Sequence, residues 1–345
     1  MTLAQFWFLL IGFMFASYFM LEGFDFGVGA LLPIIGKDDI GRRVMINTIG
    51  PIWDANETWL VLAAGAMFAA FPHWYAAAFS AYYLPLLVIL VALIVRGLAF
   101  EFRSKVDDEQ WRRNWDRCIV FGSIVVPVLW GTFFANLVGG MAINAAGDYV
   151  GGILDLFTPY TILGGLTVLS MFVTHGAIFV ALKTSGGIRH DARELATRLG
   201  VVSIILSAAF LSWTVGAHGG TSSTALAIAV VATSVCALVA NARGNDRIAF
   251  FCTAGSIVLL VATYFSLLYP NVVPSTIDPA NSLTIADASS TPYTLRLMTW
   301  VAVLVVPFVL AYQAWSYWVF RKRLGRDHIP ATPQHGARAH SSRST

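Results

Sequence analysis

The sequence predicts an all-α integral membrane protein of nine transmembrane helices, arranged as two four-helix bundles plus one additional helix. Three observations lead there. Of 345 residues, 57% are hydrophobic and only 12% charged, with a mean hydropathy of +0.70, whereas soluble domains carry about 25% charged residues. The apolar runs are unbroken over roughly 18 residues or more, the length a helix needs to cross hydrocarbon, and they lack the short alternating strands of a membrane barrel. Finally, basic residues alternate between successive connections, which is how chains that cross a bilayer repeatedly are marked.

In chain order the expected spans are 4–34, 45–71, 75–97, 117–139, 159–182, 197–217, 222–241, 248–269 and 294–320. "MTLAQFWFLL" has no basic leader and no small-residue cleavage site, so the first span is expected to be retained rather than removed as a signal. Thr158 followed by Pro159 suits a helix cap and first helical position, while "HGG" at 218–220 and "RGN" at 243–245 read as stops. Pro307 should bend the ninth span. The connections 140–157 and 270–293 are long and bare of Lys and Arg. Residues 1–323 therefore form the membrane domain, and 324–345 are expected to be a polar, disordered cytoplasmic tail.

The odd-numbered connections and the tail carry every Lys and Arg except Arg96, at the membrane edge on that same side, and Arg296 opposite. By the positive-inside rule the N-terminus lies outside and the C-terminus is cytoplasmic. The basic residues gather in no folded domain that could grip nucleic acid. Cys118, Cys236 and Cys252 have no metal-binding or haem-attachment spacing; they are expected to be buried, inert thiols, and no metal site is expected.

The informative residues are acids in apolar runs. Asp54 and Glu57 sit one turn apart near the start of the second span, and "FMLEGFDFGVGALL" places Glu22 and Asp25 three apart in the first. Each pair shares a helix face, and both pairs fall in the cytoplasmic half of the bilayer. Arg96 and Glu101 end the third span at that level. An ionisable group at a helix centre costs roughly 2.5–3.5 kcal/mol even on lenient insertion scales. One reading is a structural cluster, with acids paired to Arg96 or capping helix ends. The other is a proton-access route open to the cytoplasm. Gly23, Gly27 and Gly29 form a small-residue face suited to close helix packing. Trp53, Trp59, Trp300, Trp315 and Trp318 are expected at the aromatic belts. Of seven histidines only His175 lies well inside a span, too few for a multi-haem site in this chain. A proton-coupled secondary transporter and a purely structural scaffold are both compatible with this inventory.

The blocks "LEGFDFGVG" (21–29), "RRVMINTIGPIWDANETWL" (42–60), "GAMFAAFPHWYAAAFSAYYLPL" (65–86), "RGLAFEFRSK" (96–105) and "SLTIADASSTPYTLRLMTWVAVLVVPFVLAYQAWSYW" (282–318) resemble those of subunit II of the cytochrome bd-type quinol oxidases. The resemblance implies a heterodimer in a bacterial cell membrane. It makes the chain a non-haem-ligating subunit of a translocase-class quinol:oxygen oxidoreductase, not catalytic alone. Subunit I would carry two b-type haems, one d-type haem and the quinol-oxidising loop, with oxygen reduced to water and protons drawn from the cytoplasm. The resemblance leaves room for small accessory subunits and for a structural quinone at a position it does not specify. It further implies that Asp25 and Asp54 deliver protons with Trp53 beside the path. Glu22 stands where relatives have Asp, and Glu57 and His175 fall where others have Gln. The expected proton-pathway set is thus Asp54, Asp25, Glu22, Glu57, Trp53 and Arg96, with Arg96 tuning the entrance.

Overall fold

The chain's helices begin and end where its caps and prolines dictate. In a computed structural model describing residues 1–329, α1 (Leu3–Ala30) opens with a capping box. Thr2 accepts from the Gln5 backbone while the Gln5 side chain accepts from the Thr2 N–H, satisfying two donors that the first turn leaves free. After α2 (Leu32–Ile35), Asp38 caps α3 (Asp39–Ile49). The expected second span, 45–71, is interrupted. Helix α3 stops at Ile49, and the chain turns through Gly50 and Pro51 before α4 (Trp53–Ala70), because Pro51 has no N–H to continue the ladder. The expected third span, 75–97, is likewise divided into α5 (Pro72–Ala81) and α6 (Tyr83–Phe102).

Next come α7 (Glu109–Gly139), α8 (Pro159–Lys183), α9 (Gly186–His218), α10 (Thr221–Ala242) and α11 (Asp246–Leu268). The Thr158 cap and the stop near Gly244, at φ +80°, fall where the sequence places them. Helix α9 begins well before the expected position 197, so its first turns extend past the apolar run. A short antiparallel pair, β1 (Asn271–Val273) and β2 (Leu283–Thr284), precedes α12 (Ile285–Ala288) and α13 (Pro292–Val319). The two long connections are ordered and tied to each other: the Met141 N–H donates to the Pro274 carbonyl, and Ser275 donates to the Ile143 carbonyl.

Eight of the described helices are long and apolar enough to cross a membrane: α1, α6, α7, α8, α9, α10, α11 and α13. Helix α4, 18 residues long, is outside that set; Asp54, Asn56 and Glu57 crowd its first turns. Helix α1 is central, touching α4, α7, α8, α11 and α13, while α8, α9, α10 and α11 pack in sequence with α11 returning to α8. The glycine face of α1 is used for packing as expected. A Cβ on Gly27 would stand 2.1 Å from the Phe172 carbonyl oxygen, and one on Gly176 would stand 2.5 Å from Gly27 backbone atoms, so α1 and α8 cross backbone against backbone. Around that crossing Phe15, Phe19, Trp130, Phe134 and Phe172 make edge-to-face contacts.

Three expectations need correction. Trp59 is a core residue, not a belt residue, at 2% exposure, because it lies on the α4 face turned to α1. Cys236 is exposed, and Cys118 and Cys252 are only half-buried. The polar tail does not begin at 324. Leu324 exchanges backbone bonds with Lys183 and Ser185, Ile329 is buried, and Arg326 pairs with Asp38; the rest of the expected tail lies outside the described residues.

Candidate functional site

The i, i+3 spacing of Glu22 and Asp25 turns both carboxylates to one side of α1, and both are fully buried. Arg96, from α6, reaches Glu22 with an Nη1–Oε2 distance of 3.0 Å, and the two side chains are 1% and 0% exposed. The guanidinium also lies 4.5 Å from the Phe26 ring centroid and 5.2 Å from that of Phe100, so its positive face meets two π clouds. Helix α7 comes close enough here that a Cβ on Gly122 would lie 2.9 Å from the Cβ of Arg96.

Asp25 is served from α4. Asn56 donates to it at 2.6 Å, and the Asn56 carbonyl oxygen accepts from Gln313 at 2.7 Å and from the Tyr317 hydroxyl at 2.8 Å, both on α13. One amide thus links α1, α4 and α13. Among the described residues, Glu22 Oε1, Asp25 Oδ1, Arg96 Nε and Nη2 and the Tyr18 hydroxyl are buried without a hydrogen-bond partner, an uncommon concentration of unsatisfied polar atoms in one place.

The other expected residues are placed differently. Asp54 is exposed and Glu57 half-buried; neither has a side-chain hydrogen bond or ion pair among the described residues. Asp54 shares an open stripe of α4 with Thr58, Val61, Gly65 and Phe68, spaced three or four apart as one helix face requires. Trp53 packs on Phe100, at 5.3 Å between rings, and over Gly97. The structure therefore joins Glu22, Asp25 and Arg96 in the interior, with Trp53 beside Arg96 through Phe100, and leaves Asp54 at a surface that the described residues do not cover.

A family model for the cytochrome bd terminal oxidase subunit II matches residues 3–320. The chain belongs to that family. Subunit II here is 42% identical over 328 residues to the cytochrome bd ubiquinol oxidase subunit 2 of Bacillus subtilis (strain 168), covering 94% of this chain and 97% of that one. It is 32% identical over 361 aligned positions to the cytochrome bd-I ubiquinol oxidase subunit 2 of Escherichia coli (strain K12), covering 94% and 95%. The fold is similar to a chain in the structure of bd oxidase from Geobacillus thermodenitrificans, with a TM-score of 0.72 at 17% identity over 93% of this chain and 100% of that chain. Subunit II is accordingly a multi-pass membrane subunit of an oxidoreductase complex.

The interior of subunit II does not suit a haem ligated by His175. Its Nε2 lies 3.2 Å from the Met20 carbonyl, its Nδ1 2.6 Å from the Thr253 hydroxyl, and its ring stacks on Phe250 at 4.7 Å. Because a carbonyl only accepts, Nε2 carries the proton, and both nitrogens are engaged. Sequence reading missed Asn56, Gln313 and Tyr317. Neutral amides and a tyrosine in a membrane span attract no attention by charge. The available signal was Asn56 between two acids on a different helix face, and Gln313 alone among the apolar residues of "LAYQAW".

Proposed function

We propose that this chain is the haem-free second subunit of a quinol-oxidising bd oxidase and that its α4 admits the cytoplasmic protons consumed when the complex reduces oxygen to water. In this reading α4 crosses as a ninth span, the chain forms two four-helix groups plus α13, and the N-terminus lies outside. The haem-bearing partner, with two b-type haems and one d-type haem, supplies the electron transfer and the oxygen chemistry. Quinol and oxygen are substrates of the complex as a whole.

The observation that carries the reading is the contrast between the two acid pairs. Glu22 and Asp25 are sealed inside the chain, one on Arg96 and the other on Asn56, and contribute a fixed electrostatic floor. Asp54 and Glu57, i and i+3 on α4, have no such partner and border the open stripe. A carboxylate with no donor committed to it can take a proton from water and release it one turn further along. Arg96 behind them fixes the sign of the local field. The partner is expected on the open stripe, which would place Asp54 at the junction of the two subunits. A scaffold reading rests on Asn56, whose three bonds hold α1, α4 and α13 together without moving anything.

Asp54→Asn keeps the side-chain size but removes the exchangeable proton. The expected result is an oxidase with normal haem spectrum and subunit ratio whose oxygen consumption falls at least about tenfold, equivalent to roughly 1.4 kcal/mol in the limiting barrier. Parental turnover in an intact complex refutes the route, and loss of haem or partner makes Asp54 structural.

A further inference from the structure

Where α8, α11 and α13 end together, the chain encloses a pocket of about 470 Å³ whose lining includes Lys183, Arg247, Arg321, Arg323, Phe179 and Phe250. The cations have almost no carboxylate to answer them. Lys183, the last residue of α8, donates to the Phe320 carbonyl. Arg321 donates to the Trp318 carbonyl at 2.5 Å and lies 4.5 Å from that indole's centroid. Arg247, in the first turn of α11, has no ion pair or side-chain hydrogen bond among the described residues. Arg323 reaches Asp246 at 3.0 Å, but that one carboxylate also meets Arg189 at 2.8 Å and Arg193 at 3.6 Å. Neutral backbone oxygens orient these cations without neutralising them, so the pocket holds a surplus of positive charge in a partly dry setting.

The rest of the lining is apolar. Phe179, Phe250 and Leu182 continue from the cationic rim toward the middle of α8 and α11, and Phe251, on the open side, is 72% exposed. A soluble anion would use only the rim. A molecule with a phosphate at one end and an acyl chain at the other uses both parts. Basic pockets between transmembrane helices at a membrane edge recognise lipid headgroups in this manner. We infer that this pocket is a binding site for an anionic phospholipid, its phosphate held by Lys183, Arg247 and Arg321 and its first acyl segment lying along Phe250 and Phe179.

The assembled oxidase, stripped of lipid by extended detergent washing, provides the test. Phosphatidylglycerol, phosphatidylcholine and inorganic phosphate are each titrated, with bound lipid measured by native mass spectrometry and protection by thermal unfolding. Phosphatidylglycerol should bind about tenfold more tightly than phosphatidylcholine. Arg247→Gln combined with Arg321→Gln should weaken it at least about fivefold. The corresponding double Lys variant should retain most of the binding, and Arg198→Gln, whose exposed pair with Glu194 lies elsewhere on α9, should change nothing. Equal binding of the two lipids, or unchanged phosphatidylglycerol binding in the double Gln variant, overturns the site. Displacement of the lipid by inorganic phosphate at equal concentration shows an anion site only and overturns it as well.

Discussion

Replacing Arg96 with Met tests whether the buried ion pair holds the interior together. With an effective dielectric constant of about 20, unit charges roughly 4 Å apart attract by about 4 kcal/mol; the Arg96–Glu22 contact, 3.0 Å between its nearest atoms, lies near that regime. Desolvation of both groups offsets much of this when the pair forms, so the intact pair adds little net stability. The asymmetry appears when one partner is removed. Glu22 already has one oxygen without a donor. In Arg96→Met it would lose the other oxygen's partner while remaining buried, and breaking such a pair costs about 3–5 kcal/mol. Loss of the guanidinium from the Phe26 and Phe100 rings adds about 0.5–2 kcal/mol, partly offset by Met filling the volume. Glu22→Leu combined with Arg96→Met removes both charges and should recover more than half of the loss. Denaturation of the assembled oxidase in mixed micelles, run on the parent, both single variants and the double variant, measures the coupling. A coupling below about 0.5 kcal/mol, the range of independent sites, or a parental midpoint for Arg96→Met, would falsify the argument.

Further outcomes follow from other contacts. Gly27→Ala should destabilise the complex by about 1–3 kcal/mol or more, as overpacking does, since the new methyl would meet the Phe172 carbonyl oxygen at 2.1 Å; an unchanged melting midpoint contradicts the crossing. Asn56→Leu should loosen α13 as well as α4, because its amide holds Asp25, Gln313 and Tyr317, and faster proteolysis or hydrogen exchange in α13 is the readout. In a background without Cys118, Cys236 and Cys252, single cysteines near 148 and 220 should react with an impermeant reagent from outside and one near 190 should not; the reverse pattern inverts the proposed orientation. Bonds from Arg326 and from the Gly41 N–H hold the Asp38 carboxyl below its ordinary range. The stabilisation this brings is present above the unfolded carboxylate value near about 4 and is lost as pH falls through the lower folded value. Arg326→Ala should therefore flatten the acid limb of a stability profile below about pH 4, and an unaltered limb shows the contact to be inert.

The amino-acid sequence made the helical class legible because twenty-residue apolar runs have few other solutions, and it made Glu22, Asp25 and Arg96 legible because charge in hydrocarbon is costly. It did not show the breaks at Gly50–Pro51 and Tyr82, since a hydropathy window averages across one missing hydrogen bond. Nor did it show that Asp54 and Asp25 have opposite surroundings. Spacing assigns residues to a face of their own helix, but which face the rest of the chain covers depends on tertiary packing. Asn56 shows the same limit: its value lies in accepting two bonds and donating a third between elements far apart in the chain, for which no local pattern exists.

The crossing of α1 and α8 at Gly27 and Gly176 has a mechanical consequence. With no layer of side chains between them, the two backbones touch and neither can roll without a collision, so the contact acts as a clamp within one turn of Asp25. The interior acids are then anchored beside that clamp, whereas among the described residues nothing stands in front of the stripe bearing Asp54. Any motion that accompanies turnover should therefore be taken up on the α4 side, by side-chain rotation and by sliding against the subunit proposed to cover the stripe, while the far wall of the site stays still.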